Sequence, residues 1–313
     1  MGWKGDLFNL YNLNYLMDFT ISGYSTALFA TWYFIDELDL LFDAGDGVVA
    51  GLTQKSGKIK HIFISHADRD HLTGLLQLVQ LNARDGFPKI YYPASSSSFP
   101  ALQAFSAAFD QHKFPIPWIP VGPNDRIQIG KDLYVRPIEN EHVRHRSDQI
   151  KSLSYIVEKT KQKLRPAFAD LTGTEIGALR KTHGDEYVME TVTEKILAYS
   201  GDTPIAHDGR WDNVEILIHE STLLRSTDVA DFESRGNRHS TLEEVMEMVS
   251  ITKPKALILG HFSARYNADE IDRTIADLGN HYQLNFPIYR LLPGEVYRDV
   301  LNSPPIYAGN NLK

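Results

Sequence analysis

The stretch HIFISHADRDHLTGL, residues 61–75, places four potential metal ligands directly after a short apolar run. The run has the β-branched and aromatic composition of a buried strand, and His66, Asp68, Asp70 and His71 follow where that strand would end. In α/β proteins, side chains at the carboxyl ends of strands converge on the crevice in which ligands bind. Imidazole and carboxylate groups suit Zn, Mn or Fe, so the stretch predicts a metal site. The alternative for this segment alone is an exposed polar turn, in which Asp70 only favours a helix dipole.

Polar residues end other apolar runs as well. Asp202 follows KILAYSG, His219 and Glu220 end EILIHE, and His261 follows ALILG. We interpret His219, on an apolar strand, as a core histidine and leave it out of the ligand set. The recurrence of such strand ends favours the metal site over the exposed turn.

Composition limits the classes of protein that need to be considered. The 313 residues, 42% of them hydrophobic, suffice for one large or two ordinary domains, and the lack of cysteine excludes disulfides and thiolate metal sites. The N-terminus carries Lys4, Asp6 and Asp18 and lacks a signal-peptide pattern, and no apolar window approaches the length of a membrane span. We therefore expect a cytoplasmic protein without membrane contact. A formal net charge of −8 argues against broad nucleic-acid binding.

The apolar runs alternate with helical patterns, which predicts an α/β protein whose sheets are covered by helices. Apolar stripes predict helices over 72–83 and 100–109, a capping box of Ser240 and Glu243 predicts another, and Asn267 with Glu270 begins one that Gly279 could close. Residues 158–190 are the least regular, with a helix indicated at 173–182, and are the candidate insertion or lid. The predicted strands are LLFDAG, HIFISH, KIYYPA, LYVRPI, SLSYIVE, KILAYSGD, EILIHES and ALILGHFS.

Four segments in order, HADRDH, EHVRHRSDQIKSLSYIV, YSGDT and GHFSARY, resemble the metal-binding motifs of the metallo-β-lactamase superfamily, and within it of ribonuclease Z. FDAGDG resembles the superfamily's opening element, and IHEST and RHST resemble two loops typical of ribonuclease Z. The resemblance extends from about residue 40 to 266. It implies an αββα sandwich of two mixed sheets flanked by helices, in one domain over residues 1–313.

The resemblance also implies two divalent metal ions, with zinc favoured. A histidine of the second segment belongs to the ligand set, and His145 is favoured over His142 because its spacing to SLSYIV is closer to that of the family. The implied metal ligands are His66, Asp68, Asp70, His71, His145, Asp202 and His261. Two such ions, roughly 3.5–4 Å apart, can activate a hydroxide and stabilise both oxygens of a phosphodiester displacement.

Other residues acquire roles from the same resemblance. Asp70 would also orient the attacking water, Glu220 would orient His239, and His239 would protonate the leaving oxygen. Arg265 would contact a phosphate oxygen, and Asp43 would orient the histidine loop. The alternatives are that His239 is a surface residue at a helix start and that Arg265 pairs with a surface carboxylate.

The sequence departs from the family at two places. Asp68 stands where the family has a second histidine, and an oxygen ligand there would shift preference from Zn toward Mn, Fe or Mg, or would weaken the site. The Gly-Pro-rich motif of the bacterial tRNA-binding arm is absent, although the segment from His142 to Arg165, both included, contains seven Lys or Arg.

The expected function is therefore cleavage of a phosphodiester by a metal-dependent hydrolase. The resemblance to the family implies the 3′ ends of precursor tRNA as the substrate and a homodimer as the assembly. The alternatives are a small-molecule phosphodiesterase, acting for example on cyclic nucleotides, and a metal-binding scaffold whose catalysis is weakened by Asp68.

Overall fold

The computed structural model describes residues 19–109, 115–143, 149–231 and 238–310. The strands are β1 (Ile21–Thr26), β2 (Ala30–Ile35), β3 (Leu40–Phe42), β4 (His61–Phe63), β5 (Lys89–Pro93), β6 (Trp118–Val121), β7 (Ile127–Gly130), β8 (Leu133–Glu139), β9 (Leu153–Leu164), β10 (Met189–Tyr199), β11 (Val214–Glu220), β12 (Ala256–Gly260) and β13 (Ile288–Arg290). The α-helices are α1 (Val48–Leu52), α2 (Arg69–Leu72), α3 (Leu75–Asn82), α4 (Ser98–Phe109), α5 (Gly173–His183), α6 (Asp185–Val188), α7 (Leu242–Thr252) and α8 (Ala268–His281).

The strands form two mixed sheets. One has the order β1-β2-β3-β4-β5-β6, antiparallel up to β3 and parallel from β3 onward. The other has the order β13-β12-β11-β10-β9-β8-β7, parallel from β10 to β13 and antiparallel from β7 to β10. Parallel strands in both sheets place several strand ends together, which is the arrangement that a convergent site requires.

Alternating side chains of β4 show how the sheets pack. Phe63 points to the core between the two sheets, where its ring stacks on Tyr91 at 4.3 Å, whereas Ile62 and Ile64 belong to the core under the helices of the first sheet. The second sheet repeats the pattern, with Ile218 facing the central core and Leu217 facing the core under α7 and α8. Because the central strands of each sheet are buried on both faces, they read as nearly continuous apolar runs. The predicted αββα sandwich is confirmed.

All eight predicted strands are present, but the helix boundaries differ. The capping box of α7 is made by Thr241 and Glu244, one residue later than predicted. Ser240 is buried and donates its hydroxyl to the carbonyl of Thr203, and Glu243 accepts hydrogen bonds from Ser226. Tertiary contacts therefore occupy the two side chains that the local pattern had assigned to the cap.

Two further helix predictions need correction. Asn267 caps α8 as expected, but the helix continues through Gly279 to His281, and Gly279 instead allows the ring of Tyr307 to approach. The predicted helix over 72–83 is broken into α2 and α3 at Gly74, where a Cβ would lie 2.2 Å from the carbonyl oxygen of Gly45. The break lets the end of α2 approach the loop after β3.

Residues 158–190, expected to be irregular, are largely strand and helix. β9 and β10 pair from Tyr155↔Tyr199 to Leu164↔Met189, with one register shift between Lys195 and Leu197, and α5 and α6 connect their ends. We call residues 153–199 the β9–β10 ribbon. Its outer half is held by cross-strand charge pairs, with Glu194 between Lys161 and Lys163. The apolar alternation that identifies strands in a sequence is absent there because neither face is buried.

His61 at the start of β4 makes the stability of the fold sensitive to acid. Burial, followed by the nearby ammonium groups of Lys89 and Lys60, lowers the pKa of His61 to about 4. Between about pH 6.5 and 4 the unfolded chain binds a proton that the folded chain does not, so stability falls as pH falls. We expect His61→Gln to reduce the loss of unfolding free energy between pH 7 and pH 5 by about 1–2 kcal/mol.

Urea unfolding at the two pH values measures this difference. The exposed His281, replaced in the same way, serves as the control for the loss of a histidine at the surface. Equal losses in the parent and in His61→Gln would show that the pKa of His61 is the same in the folded and unfolded states and would contradict the prediction.

Candidate metal centre

The sequence-predicted ligands converge where the strands of both sheets end. His66 lies in the loop after β4 and His71 in α2, while His142, Asp202 and His261 follow β8, β10 and β12. The four histidines are each no more than 3% exposed. Five groups of three ligand atoms, each group within 4.8 Å, can be drawn from these strand ends. The clustered residues are His66, Asp68, Asp70, His71, His142, Asp202, Glu220, His239 and His261.

A hydrogen bond on Nδ1 orients each of the four buried imidazoles. His66 Nδ1 lies 2.9 Å from the hydroxyl of Ser65, and His71 Nδ1 lies 2.7 Å from Asp43 Oδ2. His142 Nδ1 lies 2.7 Å from the carbonyl oxygen of Arg238. His261 Nδ1 lies 2.8 Å from Thr222 Oγ1. Nδ1 partners of this kind hold a metal-binding imidazole with Nε2 directed at the metal.

One oxygen of Asp202 lies at the centre of the cluster. Its Oδ2 is 3.2 Å from His71 Nε2 and 3.3 Å from His261 Nε2. The same oxygen is 3.8 Å from His66 Nε2 and 4.0 Å from His142 Nε2. A single carboxylate oxygen therefore faces two pairs of imidazoles.

The four Nε2 atoms fit a metal site rather than a hydrogen-bonded network. In the described part of the chain, none of these atoms on His66, His71, His142 or His261 has a hydrogen-bond partner, although all are buried. Buried polar atoms are almost always hydrogen-bonded because leaving them unpaired is costly. Imidazole nitrogens with carboxylate oxygens are the donors that Zn, Mn and Fe accept, so a divalent cation would satisfy these atoms.

The charges of the cluster depend on one another. For Asp202, burial alone would raise the pKa, but the imidazoles of His261 and His71 hold it well below its usual value. For His71, burial would lower the pKa, but Asp202 and Asp43 raise it well above its usual value. For His66, burial lowers the pKa, and the neighbouring His71 adds to the effect. An ionised carboxylate among buried imidazoles is an environment that favours cations.

Asp68 and Asp70 contact opposite halves of the cluster. Asp68 precedes the first residue of α2, where its side chain makes no capping hydrogen bond. Its Oδ2 lies 3.5 Å from His66 Nε2 and 3.7 Å from His142 Nε2. Asp70 Oδ2 lies 3.5 Å from His261 Nε2 and 3.6 Å from His71 Nε2. Each half thus holds two imidazoles and one carboxylate of its own.

Glu220 and His239 meet beside the cluster. Glu220 Oε1 lies 3.0 Å from His239 Nδ1 and accepts a hydrogen bond from the amide of Thr203. Its Oε2 accepts from the amide and the hydroxyl of Thr222. Burial would lower the pKa of His239, but the carboxylate of Glu220 raises it to about 9. The glutamate is therefore fixed on both oxygens and in turn holds the imidazole.

The backbone at His261 is constrained by close packing between the sheets. His261 has φ 60°, in the left-handed region that residues with a Cβ rarely adopt, and its amide donates to Ser25 Oγ at 2.8 Å. A Cβ on the preceding Gly260 would lie 2.0 Å from the hydroxyl of Tyr33. Such strain persists only where surrounding contacts impose it, and it is concentrated at functional sites.

The structure brings together all the sequence-predicted ligands that it describes. The second-segment histidine in the cluster is His142, whereas His145, which the sequence spacing favoured, lies outside the described residues. Arg265 is exposed in the loop after His261, where its Nε donates to Ser263 Oγ. His219 is buried near Trp211, with Nδ1 2.8 Å from the carbonyl oxygen of Glu220, and stands apart from the ligand groups.

Sequence reasoning did not assign roles to the hydroxyl side chains that support the ligands. Ser65 contacts both Asp43 and His66, and Thr222 contacts both Glu220 and His261. Their position in the sequence could have indicated this role, because each hydroxyl lies within one or two residues of a ligand or acid at a strand end.

No helix within the described ranges has the length and apolar character that a membrane crossing requires.

Two mixed sheets in an αββα sandwich, with histidines and aspartates converging at the strand ends, define a metal-dependent hydrolase of the metallo-β-lactamase superfamily. Accordingly, the family Lactamase_B_2, described as a beta-lactamase superfamily domain, matches residues 39–175. The metallo-beta-lactamase fold protein YhfI from Bacillus subtilis superposes with a TM-score of 0.60 at 14% identity, covering 90% of this chain and 100% of that one.

Relatives in sequence narrow the class. Ribonuclease Z of Methanocaldococcus jannaschii is 30% identical over 254 residues, which cover 74% of this chain and 78% of the relative. The chloroplastic tRNase Z TRZ2 of Arabidopsis thaliana is 27% identical over 272 residues, covering 84% and 73% of the two chains. The chain belongs to the ribonuclease Z family, as its motifs had indicated.

Proposed function

We propose that this protein cleaves a phosphodiester bond in RNA, with the 3′ ends of precursor tRNA as the substrate class. The observation that carries the proposal is that two groups of side chains lie beside each other. One is Asp202 among four imidazole nitrogens without hydrogen-bond partners, and the other is the Glu220–His239 pair beside them. The first suits a phosphate held between two cations, and the second suits protonation of a leaving oxygen. Relatives of this chain that are called ribonuclease Z or tRNase Z support the choice of RNA.

The described ligands divide into two sets of three around Asp202. His66, Asp68 and His142 would hold one divalent ion. Asp70, His71 and His261 would hold the other. When bound, a pair of such ions supplies Lewis-acid activation of the phosphate and of water.

The remaining residues act on the substrate and its protons. Asp70 accepts a hydrogen bond from the attacking water and so aims it at phosphorus. Glu220 holds His239, which donates a proton to the leaving oxygen. Asp43 keeps His71 and Ser65 in place through buried hydrogen bonds. Arg265, in the exposed loop after His261, pairs with a phosphate oxygen of the substrate.

Three further features belong to the same proposal. We treat the whole chain as one metallo-β-lactamase-like domain in which residues 158–190 are an insertion that covers the substrate. Zinc is the ion that we expect in at least one half of the centre. A homodimer is the assembly we expect.

One observation favours a second candidate, a phosphodiesterase acting on a small molecule such as a cyclic nucleotide. Two of the basic side chains on the β9–β10 ribbon, Lys161 and Lys163, are paired with Glu194. Their charge is therefore partly neutralised, which weakens the attraction of the ribbon for an RNA backbone. The chemistry at the centre would be the same.

Cleavage of a 3′-extended precursor tRNA by protein loaded with Zn or Mn tests the proposal. Cleavage just after the acceptor stem is the expected result. Hydrolysis of a simple phosphodiester in the same plate, with no RNA cleavage under any metal, would support the small-molecule enzyme instead. A metal-loaded protein inactive on both kinds of substrate would support a scaffold.

Asp68 should change the metal preference of its half of the centre. The set of His66, Asp68 and His142 contains one oxygen ligand. An imidazole in place of that carboxylate would make the set more selective for zinc. We expect Asp68→His to raise the affinity ratio of Zn to Mn by about tenfold or more, since even changes outside the ligand shell alter metal affinity by about 10- to 100-fold.

Metal-free protein equilibrated with equimolar Zn and Mn, then desalted and analysed for bound metal, measures this ratio, and electron paramagnetic resonance reports the bound Mn. Asp277, exposed on α8, provides the matched control as Asp277→His. The same Zn to Mn ratio in the parent and in Asp68→His would contradict the prediction.

A further inference from the structure

The turn between β1 and β2, Ala27–Phe29, touches the candidate metal centre with its backbone and exposes two large apolar side chains. The amide of Leu28 donates to Asp70 Oδ2 at 3.1 Å, and the amide of Ala27 donates to the carbonyl oxygen of Phe262 at 3.2 Å. Leu28 has φ 70°, so the turn is held in a strained conformation. Leu28 and Phe29 are nevertheless 66% and 63% exposed. The turn therefore fixes apolar side chains at the edge of the centre, where nothing in the described chain covers them.

A cavity of about 370 Å³ lies beside Phe29. Its aromatic walls are Phe29, Tyr24 and Tyr266, and Asn267 and Glu295 contribute polar edges. The ring of Tyr266 is fixed because its hydroxyl donates to Asp228 at 2.7 Å. The volume falls within the range of small-ligand sites, and flat aromatic walls with a few polar groups suit a flat heterocycle.

The position of the cavity connects it to the reacting phosphate. On one side it is lined by Ala264 and Tyr266, which flank Arg265, the proposed phosphate contact. It is also lined by Phe29, the neighbour of the residue whose amide donates to Asp70. A group in this cavity would therefore lie beside the residues that contact the phosphate and Asp70. In an RNA chain, the flat group next to a phosphate is a nucleobase.

We propose that this cavity binds the nucleobase of a nucleotide adjacent to the scissile phosphate, with Phe29 as the stacking residue. This inference rests on the proposed function. Stacking of a base on an aromatic side chain tolerates every base, because each has a π face. The cavity would thus strengthen binding without selecting a sequence, and the binding would be similar before and during the reaction. A loss of such binding raises KM and leaves kcat nearly unchanged.

The test combines variants of Phe29 with precursor tRNAs that carry a single abasic nucleotide on the 5′ or the 3′ side of the scissile bond. With intact RNA, Phe29→Ala should raise KM by about 10- to 100-fold, and Phe29→Trp should restore it. With the RNA that lacks the stacked base, Phe29→Ala should have no further effect. Phe105, an exposed phenylalanine on α4, provides the control, and Phe105→Ala should cleave every RNA as the parent does.

Each result decides something different. An unchanged KM for Phe29→Ala on intact RNA, or an equal rise on the intact and both abasic RNAs, would overturn the base-binding cavity while the proposed function stands. Absence of RNA cleavage by the metal-loaded parent would overturn the proposed function and this inference together. Thermal unfolding and bound metal, measured for each variant, should match the parent, since Phe29 is largely exposed.

Discussion

Asp70→Asn is expected to lower kcat for phosphodiester cleavage by about 10²- to 10⁴-fold, the range of general acid–base effects, while the fold persists. Burial would raise the pKa of Asp70, but the imidazoles of His71 and His261 hold it at about 2, so the side chain is a carboxylate at neutral pH. A carboxylate can accept a hydrogen bond from water on either oxygen, whereas an amide presents only one acceptor. Asparagine keeps the shape and can still accept the hydrogen bond from the amide of Leu28.

The measurement is kcat on precursor tRNA and on a simple phosphodiester, together with the metal bound per chain. Asp269, exposed in the first turn of α8, supplies the control, and Asp269→Asn should retain parental rates. If Asp70→Asn keeps its metal and loses its rate, the carboxylate acts on water as proposed. A variant with more than a tenth of the parental rate and full metal content would contradict this role.

Asp43→Ala is expected to destabilise the protein by about 3–5 kcal/mol, because it removes one partner from a buried charged network. Asp43 is fully buried and accepts hydrogen bonds from the amide and the hydroxyl of Ser65, while its Oδ2 also lies 2.7 Å from His71 Nδ1. The hydroxyl of Tyr199, which reaches Asp43 from the second sheet, donates to the same oxygen. Alanine would leave all of these donors buried without an acceptor.

Chemical denaturation of the metal-free protein measures this loss without a contribution from metal binding. Asp43 has φ 53°, so alanine adds left-handed strain, and the exposed Asp132, with φ 57°, isolates that contribution as Asp132→Ala. Asp43→Asn, which keeps the shape and one acceptor, should be less destabilised than Asp43→Ala and allows the comparison if the alanine variant does not fold. A destabilisation of Asp43→Ala no larger than that of Asp132→Ala would contradict the prediction.

The sequence was sufficient for eight of the thirteen described strands and for most of the candidate ligands, because both depend on local patterns. Strands buried on both faces appear as apolar runs, and the residue that ends such a run is already placed at the edge of its sheet. His66, Asp202 and His261 follow three of these runs, so their convergence was predictable before their distances were known. Once the order of the strands is known, these three side chains are expected to lie close together.

The supporting contacts were not predictable in the same way. Asp43 and Tyr199 are 156 residues apart, and His142 and Arg238 are 96 residues apart, yet each pair is joined by a hydrogen bond. The capping box of α7 moved by one residue because Ser240 and Glu243 found partners elsewhere in the fold. No local pattern contains these partners, since they depend on how the two sheets pack.

The sequence by itself determined the α/β class and the chemical types of the candidate ligands, because burial and residue chemistry can be read along the chain, and its motifs implied the αββα sandwich through their resemblance to a known family. Only the tertiary structure decided which histidine of the second segment faces Asp202, that the outer half of the β9–β10 ribbon is strand, and that Phe29, next to the residue whose amide contacts Asp70, lines a cavity. These features arise from contacts between segments distant in sequence, and their free energies depend on packing rather than on composition.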